Sequence, residues 1–290
     1  MQPTTFGKSL LDSEFISSRA ARQRAENALV EIALAAGDRA SEFVIIGGLN
    51  PDFLTPTAPI AHLGTTDVDV LLELGVAIDR EDLDFHWLED AVSRAGAPEA
   101  AGWRFALGTG FDRVTVELIC DVADSPGMRI PLPGASRLTA NNFWGPSAAL
   151  RNPVTRRLEV PERLRAQRPD FPADVSLQFA NLGGYLITKA VAIGSRQTSK
   201  DSYDFMFVAL FNGEGTTGAC QAIIREIDEG AHPQFMSVVS AALLSYLDGE
   251  RRSALAYAAG MLASGATEER EVLIEDAAAA AERMLHYLES

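Results

Sequence analysis

The run Thr66-Asp-Val-Asp-Val-Leu-Leu72 limits what this chain can fold into more than any other segment. Its alternation is that of a β-strand, in which successive side chains face opposite ways. Val68, Val70 and Leu72 then share a face that must be buried. Asp67 and Asp69 share the other face, ~7 Å apart along the backbone. Two carboxylates held side by side repel, and each makes the other harder to ionise unless a cation lies between them. A hard divalent ion such as Mg²⁺ meets that need, because it favours carboxylate and phosphate oxygens. The alternative is a solvated edge strand, where exposed acids are ordinary. Two features favour the metal. The opposite parity is strongly apolar, as in a central strand. An earlier apolar run, Phe43-Val-Ile-Ile46, ends in Gly47-Gly48, and a glycine turn lets the backbone approach a phosphate closely.

The 290 residues are 47% hydrophobic, enough for one large core or two modest ones. No apolar stretch has the length of a bilayer span, and the first residues lack the basic start and apolar run of a signal peptide. Only Cys120 and Cys220 occur, without metal-ligand spacing. A reducing cytoplasm, no structural disulfide and no membrane partner are therefore expected. The net charge of −15 argues against broad electrostatic binding to nucleic acid. One local basic stretch stands against that background: Arg151, Arg156, Arg157, Arg163, Arg165 and Arg168, six arginines within eighteen residues. It is either a solvated surface balancing nearby acids or a surface for the phosphates of a nucleotide or an RNA end.

Residues 8–38 carry helix signals that stop at Gly37-Asp38. Strand 42–47, a proline-bearing loop over 49–64 and strand 66–73 follow. A helix near 80–95 begins around Asp79 and is broken by Gly96-Ala-Pro. Residues 103–108 and 112–121 read as strands joined by Gly108-Thr-Gly110. Short strand-like pieces at 128–132 and 157–160 interrupt a region rich in Pro, Gly and Asn. Beyond Pro172 the pattern predicts one helix over 175–194, then a second over 200–211 with Ser199 as its N-cap. Residues 217–288 predict three or four packed helices punctuated by Gly230, Gly249 and Gly265. Strands first and helices afterwards imply an α+β fold. The expected division is a small mixed-sheet core over 1–172 and a C-terminal helical bundle over 173–290.

A second cluster lies in that helical half. Lys189 sits within the apolar segment Tyr185-Leu-Ile-Thr-Lys-Ala-Val-Ala-Ile193, where its ammonium either snorkels outward or is placed for a purpose. Arg196 is two turns further along the same face. Lys200, Asp201 and Asp204 open the next helix. The two acids share a face, and their simplest role is to favour the helix dipole. Beside the carboxylates of the strand, this cluster is complementary: one half offers acids for a metal, the other a cation for a triphosphate.

Together these residues resemble the nucleotidyltransferase (polymerase-beta-like) superfamily, and within it the AbiEii/AbiGii toxin family with its MenT-type relatives. The likeness covers about residues 40–210. It rests on Gly47-Gly48, then Thr65-Thr66-Asp67-Val68-Asp69, then Lys189, Arg196 and Lys200-Asp201-Ser202-Tyr203-Asp204. The resemblance implies a Mg²⁺-dependent transfer of a nucleoside monophosphate from a nucleoside triphosphate to an acceptor hydroxyl. Asp67 and Asp69 would hold the metal and the triphosphate. Gly47 and Gly48 would cradle phosphates, with Thr65, Thr66, Arg196, Lys200 and Asp201 nearby. Lys189 would contact the phosphates, and Asp204, or Asp201 in competition with it, would pair with that lysine. Glu117 would be the third carboxylate, as base or metal ligand, with Asp121 as the fallback. The toxin branch implies a tRNA 3′ end as acceptor and an antitoxin partner, while a protein hydroxyl or a small molecule such as an aminoglycoside is also open. The chain departs from the pattern at Leu49, where a small hydroxyl residue is usual, and at His62, which stands near the place of a common arginine. Such departures admit an alternative, a catalytically drifted nucleotide-binding or protein-interaction module.

Overall fold

The computed structural model describes residues 19–74, 82–110, 113–125, 127–196 and 198–290. Its centre is an eight-stranded mixed sheet built from β1 (Phe43–Ile46), β2 (Asp67–Leu72), β3 (Arg104–Leu107), β4 (Val114–Cys120), β5 (Arg129–Pro131), β6 (Thr139–Asn142), β7 (Val154–Glu159) and β8 (Asp174–Phe179). The strand order is β5-β6-β4-β2-β1-β8-β7, with β3 also paired to β4. Strand β2 runs antiparallel to β1 and parallel to β4, and β1 runs parallel to β8. The Asp-bearing strand is therefore central, hydrogen-bonded on both sides.

Two cores lie on the two faces of this sheet. Val68, Val70 and Leu72 join Phe43, Ile45, Val116, Leu118 and Phe179 in one core, covered by α1 (Arg19–Ala36) and, beyond a short helix α2 (Pro51–Leu54), by α3 (His86–Arg94). The opposite parity carries Val44, Ile46, Leu71 and Ile119 into a larger core under the C-terminal helices. After the one-and-a-half-turn helix α4 (Glu162–Gln167) and strand β8, six helices complete the chain: α5 (Leu182–Arg196), α6 (Ser199–Phe211), α7 (Gly215–Asp228), α8 (Gln234–Leu244), α9 (Arg252–Ala263) and α10 (Arg270–Glu289). Asp67 and Asp69 thus face the helical side, at the margin of a second buried layer.

The expected α+β class holds at the level of a mixed sheet followed by helices. Several details differ from the sequence reading. Residues 175–194 are not one helix. Residues 174–179 form β8, because Leu177 and Phe179 alternate with more exposed Ser176 and Gln178, a period of two. Helix α5 begins only at Leu182. This strand, beyond residue 172, pairs with β1 and belongs to the sheet. Strand β6 arises from Thr-Ala-Asn-Asn, whose poor strand propensity conceals pairing to both β4 and β5. Ser199 is the first helical residue of α6 rather than its cap. Thr198 occupies the cap position, without a side-chain cap hydrogen bond, and donates instead to Asp201. The helix start near Asp79 and the residues before Arg19 lie outside the described residues. Four helices fill 215–289, and Gly230, Gly249 and Gly265 all fall in the turns between them.

Among the described residues, no helix is long and apolar enough to cross a membrane. Cys120 and Cys220 are both buried.

Candidate functional site

Register assembles the acidic half of the site. Asp69 lies opposite Ile46 on β1 and opposite Glu117 on β4, while Asp67 lies opposite Thr115. Glu117 is therefore the near neighbour of Asp69, and its other partner is Arg104 at 3.2 Å. Burial pushes the Asp69 carboxyl up to about 8, reinforced by the negative charges of Asp67 and Glu117 and only partly offset by Lys189 and Lys200. Burial likewise raises Glu117, with Arg104 pulling the other way. At neutral pH this is a surplus of acid that a cation would relieve.

The glycine turn closes directly on these acids. Gly47 has φ +74°, and a Cβ there would overlap Asp69 Oδ2. A Cβ on Gly48 would meet the Thr65 side chain at 2.5 Å and Lys200 Nζ at 3.2 Å. Both glycines are thus required by close approach, of Asp69 to Gly47 and of the Thr65 side chain to Gly48. Thr65 is fully buried and donates its hydroxyl proton to Asp67 Oδ1, while Thr66 is exposed. Leu49 points into the core beneath β1 and β2, so the position that often carries a hydroxyl contributes packing here.

Helices α5 and α6 supply the basic half. Lys189 Nζ donates to Asp204 Oδ2 at 2.6 Å and to Asp201 Oδ1 at 3.0 Å, and the residue is 6% exposed. Both acids pair with the lysine, so neither excludes the other. Burial opposes ionisation of Asp204, but Lys189, Lys200 and His62 hold its carboxyl well below the usual range. Burial alone would lower Lys189; Asp204 and Asp201 instead raise it well above its ordinary value. Arg196 bonds Asp201 at 3.2 Å with its side chain otherwise open. Lys200 has no carboxylate within ion-pair distance among the described residues, and its ammonium faces Gly48.

His62 packs inside the protein. Its side chain is fully buried, stacked on Tyr203 with ring centroids 5.0 Å apart. Nδ1 accepts from Gly64 N–H at 3.0 Å, so Nε2 carries the proton and donates to Asp204 Oδ1 at 2.9 Å. Asp121 is spent elsewhere, accepting from the backbone N–H groups of Gly145 and Ser147. The arginines over 151–168 are largely occupied one by one: Arg151 on the Glu229 carbonyl, Arg163 on Glu31, Arg165 beside Glu159, Arg168 on Asp170 and Arg156 over the Phe53 ring. That dispersal supports the solvated-surface alternative.

A cleft of about 600 Å³ opens between the sheet and α5, lined by Asp69, Glu117, Lys189 and Arg196 and by Trp103, which adjoins Glu117 across the β3–β4 pair, with Phe143 and Trp144 forming an aromatic end beyond β6. The aromatic end has no spacing pattern that would reveal it in the sequence. Among the described residues no three His, Cys, Asp or Glu side chains converge into a ready-made metal cage. The donor chemistry nevertheless fits Mg²⁺, which is commonly held by one or two carboxylates together with substrate phosphates rather than by an all-protein cage. Neither a scan against protein-family models nor a search of curated proteins returns a match to this chain.

Proposed function

We propose that this chain is a Mg²⁺-dependent nucleotidyltransferase, moving a nucleoside monophosphate from a nucleoside triphosphate to an acceptor hydroxyl. The observation that carries the reading is the meeting of Asp67, Asp69 and Glu117 on one sheet face with the Gly47-Gly48 turn and the Lys200 ammonium. Asp67 and Asp69 would hold Mg²⁺, which would supply neutralisation of phosphate charge in such a reaction. The chain's own residues do the rest. The glycine turn and Lys200 hold the β- and γ-phosphates. Lys189, fixed by Asp201 and Asp204, keeps a positive charge at the cleft wall. Glu117 takes the proton of the acceptor hydroxyl as its oxygen bonds to the α-phosphorus and the bond to pyrophosphate breaks. Its raised carboxyl makes it a stronger base than an ordinary glutamate. Carboxylates on central strands and a lysine locked in a packed helix suit chemistry that depends on positioning.

The toxin role, with a tRNA 3′ end as acceptor and an antitoxin partner, is the biological form of this proposal that the resemblance favours. The test is incubation of the protein with each α-labelled nucleoside triphosphate, Mg²⁺ and total RNA or cell extract, beside the Asp67→Ala/Asp69→Ala variant. Label transfer by the wild type alone is expected. Absence of both transfer and Mg²⁺-dependent nucleotide binding would overturn the proposal; binding without transfer would leave a nucleotide-binding module.

A further inference from the structure

The cleft has a chemistry of its own beyond the carboxylates. Away from Glu117 it is walled by Phe143 and Trp144, which follow Asn141 of β6 opposite Ile119, while Trp103 lies beside Glu117 across the β3–β4 pair. Trp144 is 40% exposed, unusual for so large an apolar side chain, and its ring is braced by Phe235 at 4.8 Å between centroids. An indole held rigidly from behind and open in front is a stacking surface. Tyr185 on α5 also lines the cleft. It is 1% exposed, and its hydroxyl has no hydrogen-bond partner among the described residues. A buried hydroxyl without a partner costs free energy that a heteroatom-bearing ligand would recover.

The position of the cleft says which reactant belongs there. Gly48, Thr65 and Lys200 lie outside it; Gly47, Asp69 and Glu117 line it. In an in-line displacement the attacking hydroxyl arrives opposite the departing pyrophosphate. With the phosphates over Gly48 and Lys200, the acceptor enters from the side of Glu117, through the cleft. The aromatic walls suit a planar base, and a serine or threonine hydroxyl would leave them empty.

We propose that this cleft is the acceptor site and that it receives a nucleoside, its planar base stacked on Trp144 with the Asn141 amide at its edge and its ribose hydroxyl directed to Glu117. This rests on the nucleotidyl-transfer reading for the reaction, but not for the binding. About 600 Å³ accommodates one nucleoside rather than a stacked strand, so the source is either a free nucleoside or nucleotide or the single unstacked residue at an RNA 3′ end.

Two measurements test it. The first titrates nucleosides, nucleoside monophosphates and a short single-stranded RNA into the full-length protein without triphosphate, by calorimetry. Binding to the wild type and its loss in Trp144→Ala, with recovery in Trp144→Phe, is the expected result. The second compares transfer kinetics: Trp144→Ala raises the acceptor KM about tenfold and leaves triphosphate affinity within about twofold. Binding of the mononucleosides assigns the free compound as source, and binding of RNA alone assigns its 3′ end. Absence of binding by all of them, or a parallel loss of triphosphate affinity in Trp144→Ala, overturns the proposal. Binding that persists where no label transfers supports the cleft assignment and removes the reaction instead.

Discussion

His62 Nε2 donates to Asp204 Oδ1 at 2.9 Å, and this bond fastens the loop ahead of the carboxylate strand to the helix that fixes Lys189. The same imidazole accepts the Gly64 N–H, one residue before the threonine that bonds Asp67. One imidazole therefore ties the acidic half of the site to its basic half. His62→Ala leaves Asp204 Oδ1 buried without its donor, at a cost of about 1–3 kcal/mol. Thermal unfolding should shift down accordingly, and His62→Gln, which keeps an N–H donor, should recover part of the loss. An unchanged melting temperature in His62→Ala would show that the bond does not hold the loop.

The two lysines should separate cleanly by what they change. Lys189 is enclosed by two carboxylates, and Lys189→Met removes the buried cation from both, leaving Asp204 with the His62 donor and Asp201 with Arg196 and Thr198. Breaking a buried ion pair in this way costs about 3–5 kcal/mol, so this variant should unfold at markedly lower denaturant concentration. Lys200 is partly exposed and has no ion-pair partner among the described residues. Lys200→Ala should leave the unfolding midpoint nearly unchanged and weaken triphosphate binding about tenfold or more, with Lys200→Arg retaining most of it. Equal loss of stability in the two variants would contradict this division.

Local patterns are legible in this sequence and long-range geometry is not. The alternation of Asp67 to Leu72 betrays a central strand, and Gly230, Gly249 and Gly265 mark the turns of the helical region, because both signals are local. Residues 174–179 pass for helix for the opposite reason. A six-residue strand abutting a fifteen-residue helix presents one continuous semi-apolar run, and only the pairing of β8 with β1 separates them. Glu117 and Asp121 share a parity on the same strand, so the pattern leaves both open, and only the long-range register sets Glu117 against Asp69. His62 is illegible as a tether: Asp204 lies 142 positions away, and nothing near a loop histidine announces such a partner. The cleft draws Trp103 and Trp144 from separate segments and α5 from a third, so no spacing in the chain encodes it.

Glycine substitutions should have opposite signs at two positions. Gly47 has a left-handed φ of +74° and no room for a Cβ against Asp69. Gly47→Ala must displace that carboxylate or the turn, so both folding stability and Mg²⁺-dependent nucleotide binding should fall, by about 1–3 kcal/mol in stability. Gly194 lies within α5, exposed, with nothing within 4 Å of the place a methyl group would take. Gly194→Ala should stabilise the protein by up to about 1 kcal/mol through helix propensity alone. Paired denaturant titrations of the two variants measure both effects, and destabilisation by Gly194→Ala would contradict the open space beside that residue.

The carboxyl of Asp69 predicts how metal binding depends on pH. Its folded value is pushed up to about 8 from 3.8 by burial first and by Asp67 and Glu117 next. Between those limits the metal-free folded chain holds a proton that the unfolded chain has released. Its stability contribution is therefore full below 3.8, is lost as pH rises toward about 8, and is level beyond. Mg²⁺ must displace the same proton, so its affinity should climb from about pH 6 to about pH 8, by at most about tenfold per pH unit, and then flatten. Asp69→Asn keeps the shape of the side chain and removes the titration. It should raise the melting temperature of the metal-free protein near neutral pH, by roughly 2–4 °C for each kcal/mol of relieved repulsion, while abolishing the pH dependence of Mg²⁺ binding. Calorimetric Mg²⁺ titrations at roughly one-unit steps from about pH 6 to about pH 9 read the slope directly, and a flat wild-type affinity across that range would place the metal away from Asp69.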